Sequence, residues 1–143
     1  MSDSAPPPQV WPCLRARDAR ALIDFLAAAF GFEEIVCYGE TAASPESPAR
    51  VDHAELAWPE GGGIMLGTVR GGADDPFALG PGTFGAYVVT ADPDGLCARA
   101  RAAGARITVE LHDTDYGSRD FAARDPEGNL WSFGTYPGAP RKD

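Results

Sequence analysis

The sequence lacks any apolar run near the roughly 20 residues that a membrane-spanning helix needs, so no helical span is expected. It is also short of basic residues, with 12 Lys and Arg against 21 Asp and Glu and a net charge of −9. Neutralising phosphates requires clustered Lys and Arg, and this balance argues against a nucleic-acid partner. An acidic surface attracts cationic ligands, but more often it serves solubility. The three cysteines, Cys13, Cys37 and Cys97, are odd in number and show no CxxC spacing. They read as buried thiols of a reducing compartment, which makes the cytoplasm the expected location. The opening MSDSAPPPQV has neither a basic n-region nor an apolar h-region, so a secretory signal is not expected. No GxSxG elbow is present, and no histidine neighbours a cysteine in sequence, so no nucleophile is marked.

What is present is an internal repeat. Residues 59–68 read PEGGGIMLGT and residues 126–135 read PEGNLWSFGT. Pro59, Glu60, Gly61, Gly67 and Thr68 recur as Pro126, Glu127, Gly128, Gly134 and Thr135 at one offset of 67 residues. A chain of 143 residues makes one domain, so the repeat divides that domain into two modules.

Each module has the same order of elements. VWPCLRA reads as a strand. DARALIDFLAAAFG reads as a helix capped by Asp18, with Leu22, Phe25, Leu26, Ala29 and Phe30 on one stripe and Gly31 as terminator. FEEIVCYGE is a strand, TAASPESPA a loop, RVDHAELAW a strand, PEGG a turn and GIMLGTV a strand. In the second half TFGAYVVTA is a strand, and DPDGLCARARAAG is a helix with Asp92 as cap, Pro93 first and Gly104 last. ARITVELHD, RDFAARD and LWSFGTY follow as strands, with PEGN as the last turn. The six extra residues of the first half fall in the TAASPESPA loop.

The expected fold class is therefore α+β, with two tandem βαβββ modules. One helix covers one face of its sheet and leaves the other face free, so two modules together form an open cup. The expected boundaries are a flexible arm at 1–9, a domain at 10–136 and a tail at 137–143. Within the domain, module one is 10–70, the linker 71–82 and module two 83–136.

In DFLAAAFGFE, DYGSRDFAARDPEGN and DPEGNLWSFGTY the chain resembles the vicinal oxygen chelate superfamily, the glyoxalase/bleomycin-resistance/dioxygenase group. The resemblance covers Val10 to Tyr136. It implies a homodimer and, in metal-dependent members, His, Gln or Glu at four inward positions. Those positions fall here on Trp11, Glu55, Ala86 and Ser132, and one carboxylate of four does not make a metal site. No cofactor is expected. A divalent metal would need a rebuilt set such as His53, Glu55 and His112.

Alternation puts Trp11 and Cys13 on one strand face and His53, Glu55 and Ala57 on another. Met65 and Ser132 are counterparts under the repeat, and Ala86 and Val88 are expected to complete the floor. The resemblance implies that the loop before the last hairpin closes over the pocket, with Tyr116 and Arg119 as ligand-binding residues; the structural alternative is Arg119 paired with Asp120, Asp125 or a partner chain. Trp131 and Phe133, of opposite parity to Ser132, belong to the core. Such a pocket suits a small organic ligand, while His53 beside Glu55 has the composition of an acid–base pair. Two readings follow: a small-molecule-binding protein with a degenerate metal site, or a glyoxalase/dioxygenase-type lyase, isomerase or oxidoreductase working through a rebuilt metal site or through His53 and Glu55.

Overall fold

A computed structural model describes residues 7–71 and 74–142. The elements run in the order β1 (Cys13–Ala16), α1 (Ala19–Phe25), β2 (Glu33–Tyr38), β3 (His53–Ala57), β4 (Gly63–Thr68), β5 (Gly85–Val89), α2 (Pro93–Ala102), β6 (Arg106–Asp113), β7 (Arg119–Arg124) and β8 (Leu130–Gly134). The architecture is α+β, two tandem modules each of strand, helix and three strands. The strands form two four-stranded sheets, ordered β1-β4-β3-β2 and β5-β8-β7-β6. In each sheet the first strand runs parallel to the last and the remaining pairings are antiparallel. The arm expected at 1–9 lies largely outside the described residues, as do Gly72 and Ala73 of the expected linker.

Local chemistry sets the helix ends. The Asp18 carboxylate accepts from the Ala21 N–H at 3.1 Å, and the Asp92 carboxylate from the Gly95 N–H at 3.0 Å. Each supplies an acceptor to a first-turn amide that has no partner inside the helix. Beyond Phe25 the first helix widens into a π-helical turn, Leu26–Phe30, and stops at Gly31, whose φ of 88° favours a residue without Cβ.

The modules share one core. Phe30, at the end of the π-helical turn, packs on Phe133 with ring centroids 4.7 Å apart and on Trp131 at 5.7 Å. Both partners are fully buried, as the parity argument expects. Module two also holds the first helix at both ends. Glu127 accepts from the Arg17 and Asp18 N–H groups at its start, each at 2.9 Å. The Arg99 guanidinium donates to the carbonyls of Ala28 and Ala27 at its finish, at 2.9 and 3.0 Å. A carboxylate at the N-terminus and a guanidinium at the C-terminus also complement the helix dipole.

Candidate functional site

Strand register decides which side chains share a face. On module one, Glu55 pairs with Met65, and Met65 with Cys13. These residues, with His53 and Arg15, line the face turned away from the helix, while Ala54, Leu56 and Leu66 are buried beneath it. His53 Nε2 lies 2.8 Å from Glu55 Oε2, and the Tyr38 ring stacks on His53 at 6.3 Å. Cys13 is exposed, which corrects the expectation of three buried thiols; only Cys97 is fully buried and Cys37 is half-buried.

On module two, Ser132 pairs with Tyr87, not with Ala86. Tyr87 therefore shares the open face with Ser132. Ala86 and Val88 turn the other way with Trp131 and Phe133 and pack against the core, so they are not on one floor with Ser132. The run GAYVV is free of charge and almost wholly apolar, which leaves alternation nothing with which to choose a face.

The open face of module two carries a polar network. Tyr116 donates to Asp120 at 3.3 Å, and its ring meets Tyr136 edge-on at 5.8 Å. Ser118 also hydrogen-bonds Asp120, and the Tyr87 hydroxyl donates to the Tyr136 carbonyl at 2.8 Å. Desolvation pushes the Tyr87 hydroxyl above its ordinary value. Arg119 is engaged by Asp94 at 2.8 Å and Asp113 at 3.1 Å. It is thus anchored at the surface of module two.

The donor set does not fit a metal. Among the described residues no three His, Cys, Asp or Glu side chains converge. His112 lies on β6, in the other module, with Nδ1 against the Glu110 carbonyl at 2.9 Å, so it does not join His53 and Glu55. Of the four positions that the resemblance implied, Trp11 and Ser132 are not metal-binding types, Ala86 turns to the core, and the Glu55 carboxylate already faces an imidazole.

A sizeable apolar space lies between the modules. A crevice of about 590 Å³ runs between the start of β4 and β5, lined by Phe32, Trp58, Glu60, Ala86, Val88 and Trp131. Trp11 stands at its side with its ring close against Gly63. Trp58 spans the gap, its indole N–H donating to the Val89 carbonyl at 3.0 Å. Sequence reasoning missed Phe32, Trp58 and Tyr87 as candidates. The repeat itself held the signal for Trp58, because it occupies the position that Asp125 takes in module two.

That substitution explains why the crevice is on this side. In module two, Asp125 Oδ1 accepts from the N–H groups of Glu127, Gly128 and Asn129, at 2.9 to 3.0 Å. Its Oδ2 accepts from Asn129 Nδ2 and Trp131 Nε1, both at 2.9 Å. In module one the same positions hold Trp58 and Gly62, so among the described residues the turn has no side-chain anchor and the exposed Glu60 makes no contact equivalent to that of Glu127. On one side the ordered turn lets Glu127 reach module one, and on the other the crevice is open with aromatic walls.

Comparison with known proteins now decides the family. The profile of the Glyoxalase/Bleomycin resistance protein/Dioxygenase superfamily matches residues 9–133. The chain belongs to that superfamily. Among solved structures, TioX from Micromonospora sp. ML1 is 28% identical, with a TM-score of 0.69 over 87% of this chain and 97% of that one. TnmS3, an antibiotic binding protein from Streptomyces sp. CB03234, is 19% identical, with a TM-score of 0.61 over 93% of this chain and 97% of its own. A glyoxalase/bleomycin resistance protein, also from Streptomyces sp. CB03234, is 20% identical, with a TM-score of 0.56 over 85% and 94%. Comparison with curated protein sequences gives no match. Among the described residues, no helix of this superfamily member is long and apolar enough to cross a membrane.

Proposed function

We propose that the chain is a small-molecule-binding protein of the glyoxalase/bleomycin resistance type that works without a metal, with the inter-module crevice as the seat of its ligand. The observation that carries this is the crevice itself: about 590 Å³, walled by Phe32, Trp58 and Trp131, with few polar groups. This is the size and composition of a small-ligand site. Flat aromatic ligands suit these walls, because offset and edge-on ring contacts add to the apolar area removed from water. The fold shared with TnmS3, described as an antibiotic binding protein, is in keeping with sequestration of a drug or metabolite.

The same reading makes the protein a cytoplasmic homodimer. Tyr87 and Val89 stay exposed on the open face of β5, and the free thiols suit a reducing compartment. Trp11, Cys13, Met65, Tyr116, Arg119 and Ser132 then belong to the faces and loops that a second copy would approach.

A second reading, catalysis, rests on His53 and Glu55, which are 2.8 Å apart and open to solvent on one face. An imidazole oriented by a carboxylate is an acid–base arrangement. The two readings separate in one experiment. The purified protein is incubated with zinc, nickel, manganese and iron(II), dialysed and analysed for metal. It is then titrated by calorimetry with a panel of planar aromatic compounds. Ligand binding without retained metal, unaffected by Glu55→Ala, supports the binding reading. Stoichiometric metal retention lost in Glu55→Ala, or turnover lost in His53→Ala, overturns it.

A further inference from the structure

At the opposite end of β4 from the crevice lies a second depression, of about 340 Å³. Arg15, Arg50 and Arg70 line it together with Thr68. This is unexpected in a chain with nine more acidic than basic residues. Most of the other arginines are occupied: Arg17, Arg20, Arg101 and Arg119 pair with carboxylates, and Arg99 and Arg124 donate to backbone carbonyls. Arg70 is braced, with Asp75 at 2.6 Å and the Phe77 ring beneath its guanidinium at 5.6 Å. Arg15 and Arg50 form no salt bridge among the described residues, although Arg15 lies near enough to Asp75 for its charge to help lower that carboxyl, and both line the same depression.

The backbone makes room for this arrangement. Arg15 pairs in register with Gly67, and a Cβ at Gly67 would come within 2.7 Å of an Arg15 guanidinium nitrogen. The repeat shows that the feature is particular to module one. At the equivalent Gly134 the space is taken by the Asp120 carboxylate and the Tyr87 hydroxyl. The one acid in the lining, Asp52, packs its carboxylate against Gly39.

We propose that the Arg15–Arg50–Arg70 depression binds a phosphate or sulfate group carried by a small organic molecule. Guanidinium donors match an oxyanion in both charge and geometry, and charge-assisted pairs are the stronger hydrogen bonds. Two guanidinium groups that form no salt bridge among the described residues leave donors for such an anion. The volume accommodates part of the carrier as well as the anion. The proposal is independent of the crevice reading, because it uses the other end of the sheet.

The test follows the arginine Nε–Hε signals by NMR as inorganic phosphate, and then phenyl phosphate, is added to the full chain. The expected result is saturable shifts of the Arg15 and Arg50 signals with Arg106 unmoved, and weaker binding as sodium chloride rises. Arg15→Gln with Arg50→Gln should weaken binding at least about tenfold, the loss of one or two charged hydrogen bonds. Arg106→Gln should leave it unchanged; Arg50 and Arg106 are exposed and Arg15 is half-buried, so thermal unfolding first confirms that the double variant is folded. A linear, unsaturable drift, or equal binding by the double variant, overturns the proposal. Phenyl phosphate binding no tighter than inorganic phosphate overturns the part that seats a carrier.

Discussion

The Glu127 carboxylate of module two accepts the backbone N–H of Asp18, the cap residue of α1, at 2.9 Å, although 109 residues separate them. The side chain is only 8% exposed and its other oxygen takes the Arg17 N–H. Two amides outside the helical ladder therefore depend on one carboxylate. Glu127→Ala should cost about 1–3 kcal/mol, the usual penalty for hydrogen-bonding groups left without a partner. Glu60→Ala, its repeat counterpart, is exposed and should stay within about 0.5 kcal/mol of wild type. Urea unfolding of the two variants checks the contrast.

Phe30 joins the module cores, lying between Phe133 and Phe25 with Trp131 beside it. Phe30→Ala should destabilise the whole chain by about 3–5 kcal/mol, the cost of removing a fully buried phenyl ring. Because the core is shared, far-UV and near-UV signals should still be lost together in one transition.

Much of this was legible in the sequence and some was not, for physical reasons. The helices declared themselves through Asp18 and Asp92 as caps and through their glycine terminators, and HAELA alternated clearly enough to give its face. GAYVV could not, having no charged residue to mark the solvent side, and Tyr87 stands where Ala86 was expected. The π-helical turn over LAAAF carries no local signal. The crevice is invisible along the chain because it arises from a long-range meeting of modules, in which Trp58 replaces the anchoring Asp125.

The three thiols should differ in reactivity. Cys13 is exposed, while desolvation pushes the Cys37 and Cys97 thiols up, away from the reactive thiolate form. Labelling with a maleimide at neutral pH should modify Cys13 first, in a fast phase that is absent in Cys13→Ser. A fast phase that survives in that variant would contradict the placement of β1.

Acid should loosen the β2 edge. Arg20 donates to Glu34 at 2.8 Å and to Glu40 at 2.8 Å, and these bonds hold both carboxyl groups below their ordinary values. A carboxylate whose folded pKa is depressed contributes stability above its unfolded value of about 4.3 and loses it as pH falls further. Arg20→Gln should therefore be less stable than wild type at pH 7. The gap should close as pH drops below about 4.3 through the lowered folded values. Thermal unfolding from pH 7 to pH 3 measures it.

The most direct test of the account is calorimetric titration of planar aromatic compounds into wild type, Ala86→Phe, Trp58→Ala and Glu55→Ala, with thermal unfolding to confirm that each is folded. If the crevice is the seat, filling it through Ala86→Phe or removing its wall through Trp58→Ala weakens binding at least about tenfold, as loss of a central aromatic anchor does, and Glu55→Ala leaves it unchanged. Binding that survives both crevice variants and disappears in Glu55→Ala would contradict the account and move the site to the open face of module one.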